Sequence, residues 1–335
     1  MIRKGGFMKK LIVILLFLSI LTHDIAAARF VDTNQAYSYE NMEEDIVKIK
    51  KQYNEAKVNQ IGRTHFGRKI YAIKLGSGKR NIVLIGAHHG REWMTSMLLM
   101  KKLEEYAKAY QNQSDYGRFS TAILDEISIW FIPMVNPDGV AIQQNALHQF
   151  SNKHQKLLLT MNDEQKSFER WKANGMGVDL NRQYPAGWKE LKKQPKSPYY
   201  QFYKGKSPLE AKEVQAVTKF IHEIDPEIAV AYHSAGREVF WNYRNGKHLH
   251  RDKRIAKKIS KLTGYKLGKP PKHATGGGFT DWFITKFHRP AMTIEISPLV
   301  GETSPPLSIF ETEWERNKYV GLFLAKEAKN LKKGK

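Results

Sequence analysis

The stretch Asn81-Ile-Val-Leu-Ile-Gly-Ala-His-His-Gly-Arg-Glu-Trp-Met-Thr95 holds a predicted strand, a turn and the start of a predicted helix. The apolar run 81–87 is typical of a buried strand and ends in small residues, and a helical pattern begins at about Glu92. His89 and Glu92 therefore lie at the carboxyl end of the strand, where open α/β sheets bind ligands. Imidazole and carboxylate are zinc ligands, and a catalytic zinc needs three protein ligands with a fourth position left for water. A third ligand and a nearby base are expected elsewhere in the chain.

Apolar runs and helical patterns alternate along the rest of the chain. Further strands are predicted at 127–134, 228–232 and 291–296, and helices at 92–110, 208–224 and 252–263. This alternation predicts an α/β fold with a mixed, largely parallel central sheet and helices on both faces. No repeat or Ser/Gly-rich linker divides residues 29–335, which are predicted to form a single domain. The polar region 146–171 is predicted to be a long excursion with some helix.

The first 28 residues have the parts of a secretory signal peptide. Four basic residues lie within 1–10, an almost wholly apolar segment covers 11–21, and Ala26-Ala-Ala28 offers a cleavage site. The alternative is a short membrane anchor, but a spanning helix needs ~20 apolar residues. The mature protein, residues 29–335, is therefore predicted to be secreted and extracellular, with a possible cell-wall association and without a membrane span.

Composition restricts the chemistry. The absence of cysteine excludes a thiolate nucleophile and a Cys-ligated zinc, so a zinc site must use histidines and carboxylates. The formal charge is +22, and four basic residues with Asp24 account for +3 of it in the signal segment. Such a charge favours polyanionic surroundings, for which the anionic polymers of a bacterial cell wall are the expected partner. No nucleic-acid-binding motif is present. The alternative is that the lysines serve solubility alone.

Five segments in the same order resemble the zinc carboxypeptidase family of the carboxypeptidase A type. They are His89-Gly-Arg-Glu-Trp93, Gly177-Val-Asp-Leu-Asn-Arg182, Ala231-Tyr-His-Ser-Ala235, Gly277-Gly-Phe-Thr-Asp-Trp282 and Thr293-Ile-Glu-Ile296. The resemblance covers roughly residues 45 to 325. It implies the family's fold, hydrolysis of peptide bonds, and one Zn²⁺ per chain.

The resemblance assigns the metal ligands to His89, Glu92 and His233. His233 follows the predicted strand 228–232 and opens a turn of small residues. His88 competes for the first position, but it lies one residue too early for the His-x-x-Glu spacing. We therefore expect His88 to be structural or to support the ligands from behind.

Glu295 lies in the middle of the apolar run Thr293-Ile-Glu-Ile296. A carboxylate is costly to bury there unless it is paired or used, and burial would raise its pKa and suit it to proton transfer. From the residues alone, a buried ion pair with a lysine or arginine is the alternative. The resemblance implies that Glu295 is the catalytic base that activates water.

The resemblance also implies substrate-binding residues. Asn181 and Arg182 match the residues that hold the substrate's terminal carboxylate, and Arg91 matches one that orients the substrate. An arginine fork pairs with a carboxylate through two hydrogen bonds. For any single arginine in so basic a chain, a surface ion pair is the alternative.

Three positions depart from the family pattern. Lys172 stands where an arginine polarises the scissile carbonyl, and a lysine supplies the charge without the planar fork. His273 stands where a tyrosine usually caps the substrate, and it could hydrogen-bond the substrate instead. Thr280 stands at the pocket floor, where a small hydroxyl suggests a substrate with a polar side chain.

Three further segments are most similar to the bacterial branch that cuts γ-D-glutamyl–diaminopimelate bonds in cell-wall peptides. They are Trp171-Lys-Ala-Asn174, Asp179-Leu-Asn-Arg-Gln-Tyr-Pro-Ala-Gly-Trp188 and Tyr232-His-Ser-Ala-Gly236. The resemblance thus implies a secreted zinc metallopeptidase acting on muropeptides. One alternative is a general metallocarboxypeptidase that releases C-terminal amino acids. The other is an inactive binding protein with the same fold, which the intact set of ligands and base disfavours.

Overall fold

A computed structural model of the chain describes residues 30–270 and 275–331. The helices are α1 (Tyr39–Gln52), α2 (Met94–Gln111), α3 (Pro137–Gln143), α4 (Asn152–Met161), α5 (Lys212–Ile224), α6 (Leu249–Thr263), α7 (Phe279–Phe287), α8 (Phe310–Asn317) and α9 (Val320–Lys329). The strands are β1 (Ala56–Arg63), β2 (Lys69–Leu75), β3 (Arg80–Ile85), β4 (Asp115–Tyr116), β5 (Phe119–Ser120), β6 (Ile127–Ile132), β7 (Ile228–Ser234), β8 (Glu238–Phe240), β9 (Lys266–Leu267) and β10 (Ala291–Ile296). The predicted signal peptide and His273 lie outside the described residues.

Eight strands form one mixed sheet in the order β1-β2-β6-β3-β7-β10-β8-β9, and β4 pairs with β5 separately. The central strands β6, β3, β7 and β10 run parallel to their neighbours in this set. The pairs β1–β2, β2–β6 and β8–β10 are antiparallel. The predicted mixed, largely parallel sheet is confirmed, and the four strands predicted from apolar runs are its four central strands.

Helices cover both faces of the sheet, as predicted. Along β3, Ile82 and Leu84 join one apolar core, and Val83 and Ile85 join the other, because successive side chains in a strand point to opposite faces. The first core also takes side chains from α1, α2, α6, α8 and α9, and the second takes side chains from α5 and α7. Within the described ranges, no helix combines the length and the apolar character of a membrane span.

The polar excursion 146–171 packs around a third, smaller apolar core. Leu158 of α4 and Trp171 are fully buried there with residues of α3. The carbonyl of Trp171 accepts the N–H of Arg91 at 2.9 Å, and that of Lys172 accepts the N–H of Gly90 at 3.0 Å. The excursion therefore fixes the backbone of the turn that carries His89 and Glu92.

Two predicted boundaries were wrong in ways that concern the site. The strand predicted to end at residue 232 continues to Ser234, because β7 pairs with β10 as far as Ser234 and Ile296. His233 therefore lies within a strand and not after it. The helix predicted from Glu92 begins at Met94, because Gly90–Glu92 forms a separate 3-10 turn.

Candidate metal centre and active site

Three parallel strands bring the candidate catalytic residues to one end of the sheet. The turn after β3 carries His89 and Glu92, β7 carries His233, and β10 carries Glu295. In the strand register, Glu295 lies opposite His233 of β7 and opposite Glu238 of β8. Side chains of directly paired residues share one face of a sheet, so these three side chains are neighbours.

The turn after β3 depends on a glycine. A Cβ at Gly90 would lie 2.3 Å from the carbonyl oxygen of Gly139, so a larger residue would push α3 away. The Thr95 hydroxyl ties the two ends of the turn together, since it accepts the N–H of Ala87 and donates to the carbonyl of Glu92, each at 2.8 Å. His89 and Glu92 are consequently held in a buried position, each with 3% of its surface exposed.

The side chains of His89, Glu92 and His233 converge. His89 Nδ1 lies 2.8 Å from Glu92 Oε1, His233 Nδ1 lies 2.8 Å from Glu92 Oε2, and the two Nδ1 atoms are 3.2 Å apart. Among the described residues, this is the group of histidine and carboxylate side chains whose ligand atoms could hold one metal ion. Burial raises the pKa of the Glu92 carboxyl, but the neighbouring His89 and His233 outweigh that effect and hold the pKa well below its usual range.

The donor set fits a zinc ion. His89 Nε2 lies 3.1 Å from Asp179 Oδ1, which fixes the ring if Nε2 carries the proton. In that tautomer His89 Nδ1 carries a lone pair, which faces Glu92 Oε1 at 2.8 Å. Two hydrogen-bond acceptors this close repel each other unless a cation lies between them. Two imidazole nitrogens and one carboxylate form a known ligand set for catalytic zinc.

Asp179 contacts a candidate metal ligand, and no role was predicted for it from the sequence. It is fully buried, and its carboxylate contacts both His89 and, at 3.6 Å, the Nζ of Lys172. Burial raises the pKa of Asp179, but Lys172 and His89 outweigh that effect and hold the pKa well below its usual range. Metal-binding histidines usually donate their second ring nitrogen to such a carboxylate. The sequence feature that could have indicated a role for Asp179 is its position within the family-like segment 177–182.

Glu295 points into the same pocket. Its carboxylate forms no ion pair within the described part of the chain, so the buried ion pair considered above is not observed there. Burial and the nearby Glu92 raise the pKa of Glu295 well above its usual range, and Lys172 opposes that shift. A carboxyl with a raised pKa is better suited to accept and return a proton near neutral pH than an ordinary one.

One pocket of about 360 Å³ brings these groups together with the predicted substrate residues. It is lined by the three candidate ligands and Glu295, and by Arg91, Lys172, Asn181, Arg182 and Thr280. Of the residues predicted for the site, His273 alone lies outside the described residues. The sequence segments that are far apart in the chain therefore converge on one cleft.

The two arginines of this pocket, Arg91 and Arg182, have guanidinium N–H donors that form no hydrogen bond with the described residues. Arg182 is buried, with 4% of its surface exposed, and its Nε has no hydrogen-bond partner among the described residues. Its Nη1 donates to the carbonyl of Asn181 at 3.0 Å, and Nη1 of Arg91 donates to the carbonyl of Arg170 at 3.0 Å. An unsatisfied buried guanidinium donor fits an anionic ligand.

Two more polar residues, Glu238 and Thr293, line the pocket and were not predicted from the sequence. The carboxylate of Glu238 forms no hydrogen bond or ion pair with the rest of the described chain. Thr280 Oγ1 lies 2.8 Å from Thr293 Oγ1, so the expected polar floor is a pair of hydroxyls. Glu238 had no signal in the sequence, because its strand has three residues and was not predicted.

Comparison with known proteins gives three findings. A zinc carboxypeptidase family profile matches residues 42–319. Gamma-D-glutamyl-L-diamino acid endopeptidase 1 of Lysinibacillus sphaericus is 31% identical over 303 residues, which cover 89% of this chain and 74% of that protein. Metallocarboxypeptidase A of Trichophyton tonsurans is 28% identical over 186 residues, which cover 54% of this chain and 39% of that protein.

Solved structures give the same fold. The structure of bovine thrombin-activatable fibrinolysis inhibitor, in complex with tick carboxypeptidase inhibitor, superimposes with a TM-score of 0.71. The alignment covers 89% of this chain and 99% of that chain, at 17% sequence identity. At this identity the likeness concerns the fold alone.

Proposed function

The chain belongs to the zinc carboxypeptidase family and is a zinc metallopeptidase, and from this premise we propose that it cuts the amide bond between γ-D-glutamate and a diamino acid such as diaminopimelate in cell-wall peptides. The observation that carries the proposal is the charge pattern of the pocket, whose lining combines Arg182, a Glu238 carboxylate with no partner among the described residues, and two hydroxyls. The name of the Lysinibacillus sphaericus relative supports the same bond type.

A diaminopimelate residue matches these groups. It lies on the amine side of the scissile bond, and its side chain ends in a carboxylate for Arg182 and an ammonium group, both of which stay free when D-alanine follows it. An apolar side chain in the same place would desolvate the Glu238 carboxylate without offering it a partner, which costs free energy. The lining therefore favours a polar, amine-bearing residue.

Hydrolysis can be assigned to residues of the chain. Arg182 and Asn181 hold the carboxylate and so fix the scissile carbonyl in the pocket. A zinc ion bound at His89, Glu92 and His233 would supply Lewis acidity to the water and the carbonyl. Glu295 takes a proton from the attacking water as the O–C bond forms, and it delivers that proton to the amide nitrogen as the C–N bond breaks.

Lys172 completes the assignment on the carbonyl side. It is buried beside Asp179, and burial lowers its pKa although the Asp179 carboxylate raises it. Its ammonium group stabilises the negative charge that develops on the carbonyl oxygen during attack. A lysine acts here as a point charge, where a guanidinium would form two parallel hydrogen bonds.

Arg182 is expected to contribute strongly to binding of the substrate carboxylate. Arg182→Ala should lower kcat/KM by roughly 30–1000-fold, since it removes charge-assisted hydrogen bonds worth about 2–4 kcal/mol. Arg182→Lys is the matched control, because it keeps the charge and should recover only part of the loss. Steady-state kinetics on a γ-D-glutamyl–diaminopimelate peptide measures both, and an Ala variant with wild-type kcat/KM would contradict the assignment.

Glu238 is expected to recognise the substrate's free amine. Glu238→Gln should lower kcat/KM about tenfold on a peptide whose diaminopimelate side chain carries that amine, because one charge-assisted hydrogen bond is lost. On the same peptide with the amine acetylated, wild type and variant should be nearly equal. Equal losses on both peptides would show that Glu238 acts on the active site in general and not on the amine.

The runner-up function is a general metallocarboxypeptidase, which the Asn181 and Arg182 clamp would also serve. The experiment that separates the two compares kcat/KM on a γ-D-glutamyl–diaminopimelate peptide with that on an α-linked peptide ending in an apolar residue. We expect a clear preference for the γ-linked peptide. A preference for the α-linked peptide would reject the wall-peptide proposal and leave the carboxypeptidase.

Secretion is part of this proposal. It rests on the basic, apolar and small-residue pattern of residues 1–28, and it places the enzyme where wall peptides occur. The amino-terminal sequence of protein recovered from the culture medium should begin at Arg29. A cell-retained protein that keeps residues 1–28 would contradict secretion while leaving the peptidase assignment untouched.

A further inference from the structure

A second cavity lies at the other end of the central sheet. It measures about 810 Å³ and is formed where β3, β7 and β10 begin, beside Arg80, Glu227 and Pro290. The catalytic groups lie where the same three strands end. This second cavity is here called the basic cleft. It shares no lining residue with the catalytic pocket, so substitutions in the cleft leave the residues of that pocket in place.

The basic cleft has an excess of positive charge. Six lysines and arginines line it against two acids; these residues are Lys79, Arg80, Arg244, Lys247, Arg251, Arg289, Asp225 and Glu227. Both acids are neutralised locally, because Arg289 binds the two carboxylate oxygens of Asp225 at 2.7 and 3.0 Å and Arg80 binds Glu227 at 3.0 Å. Of the four remaining cations, Arg244 and Arg251 pair with acids outside the lining, Glu190 at 2.6 Å and Asp252 at 2.7 Å, which leaves Lys79 and Lys247.

Two of these cations are available to a ligand. Lys79 and Lys247 are exposed, and neither ammonium group forms an ion pair within the part of the chain that the structure describes. The rings of His248 and His288, whose centroids are 6.2 Å apart, also line the cleft. Burial lowers the pKa of His248, and the nearby Arg251 and Lys247 lower it further, as expected for a site of positive potential.

The amino end of a long helix adds to this potential. The 3-10 turn Gly246–His248 leads directly into α6, and the side chain of the preceding Asn245 does not cap it. Asn245 instead binds Asp252 at 2.7 Å and accepts the N–H of Tyr243. The start of a helix carries a partial positive charge that favours anions.

We propose that the basic cleft binds a linear poly(alditol phosphate) chain, of the kind represented by poly(glycerol phosphate) in bacterial walls. A cavity of about 810 Å³ exceeds what one phosphate fills, and its two unpaired lysines, Lys79 and Lys247, can each bind a phosphate of one flexible chain. Single-stranded nucleic acid fits less well, because it binds through exposed aromatic rings on which bases stack. The phenyl ring of the lining, that of Phe287, is already stacked on Phe283, with 4.8 Å between the ring centroids.

Binding of such a polymer would hold the enzyme beside its substrate. Polymer binding by the cleft does not depend on which bond the catalytic pocket cuts. The cleft proposal and the proposed substrate can therefore be confirmed or refuted independently. Polymer binding also assigns a role to the positive charge of the mature chain, which is +19 once the +3 of residues 1–28 is taken from +22, where the sequence alone left solubility as an alternative.

The test is a binding measurement with matched charge variants. Lys79→Gln/Lys247→Gln removes two charges from the cleft, and Lys57→Gln/Lys156→Gln removes two exposed charges elsewhere. With poly(glycerol phosphate) of defined length at low salt, the cleft variant should bind at least about tenfold more weakly than wild type, and the control within about twofold. All three proteins should hydrolyse a small soluble peptide at the same rate.

Equal weakening in both variants would reduce the effect to net charge and overturn the proposal. Tighter binding of a single-stranded DNA oligonucleotide at equal phosphate concentration would overturn the ligand class. A second measurement uses the wild-type protein alone: bound polymer should protect Lys79 and Lys247 from acylation, read by mass spectrometry, while Lys57 and Lys156 stay reactive. Uniform reactivity at all four lysines would also overturn it.

Discussion

Glu295→Gln is expected to lower turnover by at least about 10²–10⁴-fold, the range typical of losing a general base. Glutamine keeps the shape of the side chain, but it cannot take a proton from the attacking water. The atoms that converge on the metal position come from His89, Glu92 and His233, and none comes from Glu295. Zinc content, measured by mass spectrometry on the same sample used for kinetics, should therefore stay at one ion per chain.

The neighbouring carboxylate supplies the control for this variant. Glu238 pairs with Glu295 across β8 and β10, so Glu238→Gln removes a charge from the adjacent position of the sheet. On a substrate without a free side-chain amine, it should leave turnover near the wild-type value. Near-normal turnover in Glu295→Gln would refute Glu295 as the base and direct attention to another carboxylate of the pocket.

His233→Ala is expected to remove zinc from the protein and with it the activity. The change deletes one of the three candidate ligands, and the loss of zinc affinity should exceed the ~10–100-fold that follows removal of an outer partner such as Asp179. Chelation of the wild type should abolish hydrolysis, and one equivalent of zinc should restore it. The same equivalent should not restore the variant.

The competing histidine is the matched control for this metal experiment. His88 is fully buried beside the ligands, but its Nε2 bonds the hydroxyl of Tyr184 at 3.0 Å and it is not a member of the convergent group. His88→Gln should therefore keep its zinc, with folding of both variants checked by thermal melting. Unchanged zinc in His233→Ala, or loss of zinc only in His88→Gln, would show that the ligand assignment is wrong.

The central strands of the sheet could be predicted from the sequence, and the strands at its edges could not. Strands β3, β6, β7 and β10 are buried on both faces, so they read as continuous apolar runs. The edge strand β1 has one buried residue, Ala56, among half-buried and exposed ones, and β8 and β9 have only three and two residues. Their positions depend on pairing with distant strands, which local patterns do not encode.

The same limit applies to the site. His89 and Glu92 are close in sequence, so their spacing on a strand-to-helix turn could be recognised directly. His233 and Glu295 are distant in sequence and could be joined to them only through the resemblance to a family. Glu238 was not found at all, because its importance follows from its register opposite Glu295.

Product identification from one peptide tests the proposed function most directly. In L-Ala-γ-D-Glu-diaminopimelate-D-Ala, cleavage of the γ-D-Glu–diaminopimelate bond gives two dipeptides, whereas a carboxypeptidase releases free D-alanine. Mass spectrometry at early time points, with Glu295→Gln as the blank, distinguishes the two products. We predict the two dipeptides as the first products of the wild-type enzyme; free D-alanine appearing first, with the γ-linked bond intact, would contradict the proposed specificity.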